Sequence, residues 1–323
     1  MPGMRTHNIF GLRAASLMPA DLRSRIARHP IAYAIGMQGP DLFFYSLSPY
    51  LRYPENVGQL MHRSRVLDFF DALLTAREEI TNSDEGRSIA DAYICGFIGH
   101  YTLDMACHPY IYCRTQHLRH AGRPAYDFGL HVFLETDIDS DCGRYYLNQT
   151  PLMDHTERYF KASASERKLL TLLLTEAIQK TYPELNFQSW TAYESLVSLP
   201  ITARLLQDPS VAKRKLVRLL EQASLGHAVV SGMLVSDSIR KYPDPCNLSH
   251  HAWYNPWDPS HKIRTESIMD LIDASTRALV KRTDLYFEAV DGAVWNRGER
   301  KPDAGPLLEE LGNRSYLTGC PLN

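Results

Sequence analysis

His100, Asp104 and His108 recur every four residues in the run Gly99-His100-Tyr101-Thr102-Leu103-Asp104-Met105-Ala106-Cys107-His108-Pro109. Each step of four turns about 40° around an α-helix, so the three side chains fall within a sector of about 80°. Ala92 and Gly96 precede them on the same line, and two such small residues leave room for something to approach the helix. His131 and Glu135 repeat the device further on, again four apart and on one face. Imidazoles and carboxylates at this spacing are how helices chelate zinc, because their donor atoms converge on one ion. Taken singly, either pair reads more simply as a helix-surface ion pair. A three-step ladder with a second pair favours metal binding.

The rest of the chain carries the same helical period. Asn56 can cap a helix running to about Ile80, with Leu60, Leu67, Phe70 and Leu74 on one stripe. Asp84 or Ser88 opens the next, which Pro109 should end near His108. Further helices are expected over Tyr126–Tyr146, Ser163–Lys180, about Val211–Arg240 and Ile263–Val290. A Pro- and aromatic-rich loop, Tyr242–Pro259, separates the last two, and the tail from Arg297 reads as irregular. No alternating run bounded by turn residues is present, so the expected fold class is all-α, a multi-helix bundle. A weak boundary near Pro151 divides a metal-binding region, 1–150, from additional helices, 151–323, packed on it; one continuous domain is equally compatible.

Composition excludes several partners. Lys and Arg number 35 against 37 Asp and Glu, which leaves no broad electrostatic grip on duplex nucleic acid. Uncharged apolar stretches such as Ala92–Leu103 and Leu225–Ser236 fall short of the ~18–20 residues of a transmembrane span, leaving transient contact with a membrane surface as the membrane role expected. No apolar segment of the secretory kind follows Arg5. The six Cys form no Cys-x-x-Cys pair, and reduced thiols in a cytoplasmic protein are expected. Gly-rich phosphate loops and Gly-x-Ser-x-Gly elbows are absent.

Three more residues extend the candidate set. Thr6-His7-Asn8 places an imidazole near the start, Gly39-Pro40-Asp41 a carboxylate after a rigid turn, and His62 lies on the line of Val66, Phe69 and Leu73. Alone, Asp41 reads as a helix N-terminal carboxylate and His62 as a satisfied core histidine. In order, however, the chain offers an N-terminal His, a lone Asp, a lone His, His-x3-Asp, a following His and His-x3-Glu. This order resembles the zinc-dependent phospholipase C family, which shares its fold with single-strand-specific zinc nucleases. The resemblance covers roughly residues 1–145 by motif.

The resemblance implies an all-α bundle with a metal cluster at the base of a cleft, holding two or three Zn2+ ions. It implies that Asp41, His62, His100 and Asp104 hold one ion and that His108, His131 and Glu135 hold a second. His7 would hold a third, with Asp104 bridging. In the family the processed N-terminal residue is also a ligand, a role that falls here to the main chain of Pro2. Asp139, or Asp137, is the expected acceptor that orients His131 from behind. No acidic residue precedes Asp21, where choline-lipid-cleaving members place a carboxylate for the cationic headgroup, and Arg5 stands there instead.

The implied function is a phosphodiester hydrolase of the phospholipase C type, in which metal-activated water attacks the phosphorus of a phospholipid or other small phosphodiester and Asp41 is catalytic. One rival is a nuclease for single strands using the same metals, with Arg114, Arg119 and Arg123 as its only basic groove. The other is a non-catalytic helical protein with structural zinc. His117 and His120 read as solvated loop residues, His227 as a core histidine, and Ser249–Trp257 as a loop pinned to the bundle by Trp253 and Trp257.

Overall fold

The computed structural model describes residues 3–80, 83–120, 122–153, 155–227, 230–237, 240–296 and 299–322. Helices α1 (Met4–Leu17), α2 (Ala20–Ala27), α3 (Pro30–Gly36), α4 (Ser48–Leu51), α5 (Val57–Met61) and α6 (Val66–Ile80) lead into the long α7 (Asp84–Arg114). They are followed by α8 (His117–His120), α9 (Pro124–Leu147), α10 (Ala164–Thr181), α11 (Ser189–Leu205), α12 (Ala212–Ser224), α13 (Ile268–Asp291) and α14 (Gly305–Leu311). Two short antiparallel pairs join β1 (Trp253–Tyr254) to β2 (Ile263–Arg264) and β3 (Val294–Asn296) to β4 (Glu299–Lys301). The fold is the expected all-α bundle. Among the described residues, no helix is long and apolar enough to cross a membrane.

α7 is the axis. Its residues are buried almost without interruption from Ser88 to Asp104, as they must be in a helix that is apolar on every side. α1, α2, α3, α6, α10 and α13 all pack on it, so helices from both sides of Pro151 share one core. The closest approach is that of α3. A Cβ on Gly36 would stand 2.1 Å from the Tyr93 carbonyl, and one on Gly96 2.2 Å from the Tyr33 carbonyl. What the small residues of α7 admit is therefore a neighbouring helix backbone.

Four expectations are corrected. α7 does not stop at His108 but runs through Pro109 to Arg114; the proline forfeits its own bond to the Met105 carbonyl, and buried Tyr110 and Ile111 carry the helix on. The helix expected from Asn56 to Ile80 is two. Asn56 does cap, accepting the Gly58 N–H at 2.8 Å, but the chain breaks after Met61, with Arg65 at φ 51° before α6 begins. The helix expected to reach Arg240 ends at Ser224, just ahead of Gly226 at φ 74°, which leaves His227 half-buried beside Leu225 rather than in the core. Ile263 opens β2, and the last long helix starts only at the Ser267–Asp270 capping box.

The tail departs too. α14 forms within it, and Asn313–Leu322 then folds back onto the bundle: Tyr101 donates its hydroxyl to the Gly312 carbonyl at 2.7 Å, and the Tyr316 N–H donates to the His62 carbonyl at 3.1 Å. The Tyr242–Pro259 loop is pinned by its tryptophans. Buried Trp253 donates to the Glu266 carbonyl at 3.0 Å, and Trp257 meets Tyr112 edge-on at 4.8 Å.

Candidate metal centre

The helical ladder on α7 points its three side chains into the core, where His100, Asp104 and His108 are wholly buried. Asp104 is the hub. Its Oδ2 lies 3.1 Å from His100 Nε2 and 3.5 Å from His62 Nε2, and its Oδ1 3.2 Å from His7 Nε2. Asp41 Oδ1 stands 3.3 Å from the same His62 nitrogen. One turn along α7, His108 faces α9, where His131 Nε2 and Glu135 Oε1 are 2.6 Å apart. Three groups have donor atoms within 4.8 Å of one another: His7, Asp41 and His100; His62, His100 and Asp104; His108, His131 and Glu135. The fold thus brings together all eight side chains that the sequence singles out.

Local structure explains each placement. His7 rides on α1, whose first turn is held by Asp139: Oδ1 accepts the Thr6 N–H at 2.9 Å and the Thr6 hydroxyl at 2.6 Å, and Oδ2 the Arg5 N–H at 3.2 Å. Asp139 is therefore engaged with α1 and not, as expected, with His131. Asp137 likewise accepts the Lys241 and Tyr242 N–H groups, at 2.9 and 2.8 Å. Asp41 follows Gly39, whose φ of 49° and missing Cβ let the turn lie against the His100 ring, 2.3 Å from where that Cβ would be. His62 sits at the break between α5 and α6. The Pro2 main chain lies outside the described residues.

Backbone carbonyls set the imidazoles. His62 Nδ1 donates to the Gly58 carbonyl at 2.6 Å, His100 Nδ1 to Met37 at 3.1 Å and His108 Nδ1 to Tyr316 at 2.7 Å. A carbonyl only accepts, so each Nδ1 carries a proton and each Nε2 is the nitrogen turned to the cluster, able to ligate a metal when it is unprotonated. Sequence reasoning missed the Tyr316 contribution, because a main-chain acceptor leaves no mark in the side-chain pattern.

The donors fit a metal. Among the described residues, the Nε2 atoms of His62, His100 and His108, both His7 nitrogens, Asp41 Oδ1 and both Asp104 oxygens are buried with no hydrogen-bond partner. Leaving so many polar atoms unmet is costly, and a bound cation is the usual remedy. Nitrogen donors mixed with carboxylates suit zinc. Burial pushes His7, His108 and His131 below the ordinary imidazole range, toward the neutral ring that ligates metal. Burial also works to raise Asp104, but His100 and His108 hold it well below the usual carboxylate range. In His62, burial is outweighed by Asp104 and Asp41, which raise it to about 9.

A cleft opens beside Glu135. Tyr45, Val132, Ala203, Leu206, Met233 and Val235 give it apolar walls, and Arg5 and Asp139 also line it. His117 and His120 stay apart from the three groups: His117 Nδ1 bonds Asp127 at 2.6 Å and His120 packs on Tyr126. A family model described as zinc-dependent phospholipase C matches residues 6–192, a span that contains every side chain of the three groups. Neither the curated proteins nor the solved structures give a match.

Proposed function

Since the chain belongs to the zinc-dependent phospholipase C family, we propose that it hydrolyses a phosphodiester, with a phospholipid or a related small molecule as substrate. The observation that carries this reading is the set of unmet buried donors around Asp104, set beside a cleft with apolar walls. In this reading His7, Asp41, His62, His100 and Asp104 form one part of the centre and His108, His131 and Glu135 the other, together holding two or three zinc ions. Bound zinc supplies Lewis acidity toward phosphoryl oxygens and a water acidified to near neutrality.

The protein's own residues do the rest. Asp41 orients the attacking water and takes its proton at the carboxylate; it stands 3.3 Å from His62 Nε2 and comes from outside the α7 ladder. The Gly58, Met37 and Tyr316 carbonyls keep three imidazoles aimed while charge changes beside them. Apolar cleft walls exclude bulk water and accommodate the glyceride part of a lipid. Arg5 lines the cleft, and Asp139, which lines it too, is engaged by the Arg5 and Thr6 N–H groups, so a neutral or anionic headgroup fits better than choline.

The nuclease reading finds little support. Arg114 donates to the Pro243 carbonyl, Arg119 to Gln116 and Arg123 stacks over Tyr126, so the three arginines are engaged locally rather than arrayed along a groove. A panel of phosphodiesters, run with protein stripped by EDTA and then reconstituted with zinc, tests the proposal. Zinc-dependent cleavage of phospholipids is expected. No cleavage of any diester by protein that demonstrably carries zinc would overturn it.

A further inference from the structure

α12 turns its leucines outward. Leu216, Leu219 and Leu220 lie on one stripe and each is more than half exposed, as is Leu225 just past the helix end. The buried residues of α12 are Arg214 and Glu221. Arg214 donates to the Leu234 carbonyl, and Glu221 accepts the Val230 and Ser231 N–H groups at 2.5 and 3.1 Å. The helix is anchored by its polar side, the reverse of an ordinary surface helix. A single exposed leucine needs no explanation, but a contiguous stripe marks a place of contact.

The end of α11, which leads into α12, also carries exposed apolar residues. Ile201 and Leu205, one turn apart, are also more than half exposed. Lys213 Nζ ties the two helices together, donating to the Leu205 and Gln207 carbonyls at 3.1 and 2.8 Å. The same end of α11 supplies Ala203 and Leu206 to the cleft beside Glu135. Exposed Ile201 and Leu205 are thus close neighbours in sequence of the α11 residues that line the cleft.

Charge decides the occupant. The chain as a whole carries a net charge of −2, yet α12 holds Lys213, Arg214, Lys215 and Arg218 against Glu221 alone. Lys213 and Lys215 are exposed beside the leucines. An apolar stripe flanked by cations is the pattern of a helix lying in the plane of a bilayer surface, with leucines among the acyl chains and lysines at anionic headgroups. A second copy of the chain would instead bring like charges together. We propose that the outward face of α12, with the end of α11, docks on an anionic phospholipid surface and presents the cleft to lipid held there. For the substrate this rests on the reading above; for the binding it does not.

The full chain, loaded with zinc, is floated with vesicles of phosphatidylcholine alone or mixed equally with phosphatidylglycerol. Binding to the mixed vesicles is expected, and it should weaken with added salt. The double change Leu219→Gln/Leu220→Gln should bind about tenfold more weakly, with an unchanged thermal midpoint and unchanged turnover of a water-soluble nitrophenyl phosphodiester. Lys215→Glu should weaken binding to the anionic vesicles alone. Equal vesicle binding by wild type and the double variant overturns the proposal. So does a wild-type dimer that the double variant renders monomeric, which assigns the face to a second copy. Vesicle binding without hydrolysis of any diester would sink the phosphodiesterase reading and leave docking standing. Hydrolysis of the soluble diester with no vesicle binding would sink docking alone.

Discussion

His108 Nδ1 lies 2.7 Å from the carbonyl oxygen of Tyr316, a residue 208 positions later in the chain. The same Tyr316 donates its N–H to the His62 carbonyl at 3.1 Å and packs its ring against His62, His100 and Tyr101. One residue of the tail thus touches both parts of the candidate centre, although it lies outside the span matched by the family model.

Removing residues 313–323 should therefore weaken zinc binding by about 10–100-fold, the usual loss when an acceptor behind a ligating histidine is removed. Competition with a chromophoric chelator measures it. Tyr316→Ala keeps the carbonyl and loses only the ring, so its affinity should fall less than that of the truncated chain. Equal zinc affinity in the truncated and full-length proteins would show that the tail does not position His108.

Asp104→Asn should be the most damaging single change to the centre, because this carboxylate meets His7, His62 and His100. We expect a loss of activity of at least about 100-fold and fewer bound zinc equivalents than in His131→Ala. Elemental analysis of the wild type should find at least about two zinc equivalents; less than one after reconstitution would contradict a multinuclear centre.

Zinc binding should release protons near pH 7.5. Asp104 and Asp41 overcome burial to raise His62 to about 9, and metal needs the bare Nε2. Zinc affinity should accordingly rise with pH up to about 9. Calorimetry in buffers of different ionisation enthalpy should report about one proton expelled at pH 7.5 and less above pH 9. In zinc-stripped protein the same raised value stabilises the fold fully below the ordinary 6.5 and loses its effect as pH climbs through about 9. Proton uptake on zinc binding would contradict this account of His62.

Gly36→Ala and Gly96→Ala should each destabilise the protein by about 1–3 kcal/mol, since the new methyl meets a backbone carbonyl that cannot swing aside. Thermal unfolding should show midpoints lower by several degrees. Gly122→Ala, with nothing within 4 Å of the added carbon, is the control and should leave the midpoint unchanged.

The parts of the site that were legible are those encoded by local spacing. The α7 ladder and the His131–Glu135 pair announce themselves because one helical turn converts a step of four into one face. His7, Asp41 and His62 carry no such spacing and became candidates only through their order along the chain. The break after Met61 was hidden, because the apolar stripe from Leu60 to Leu74 reads straight through it, and the positive φ of Arg65 has no glycine to signal it. Pro109 misled for the opposite reason: a strong local rule was overridden by burial of Tyr110 and Ile111. Asp139 was expected behind His131 because it follows Glu135 closely, but its partners, Thr6 and Arg5, lie more than 130 residues away and no spacing points to them.

The bond between His108 and Tyr316 also sets an order in time. A chain made at about 5–20 residues per second carries His108 for about 10–40 seconds before the acceptor 208 positions later exists. During synthesis the ring is free to turn and either nitrogen can take the proton. The bond to the Tyr316 carbonyl is available only once the tail has folded back, so if His108 ligates zinc, its part of the centre is completed late in the life of each new molecule.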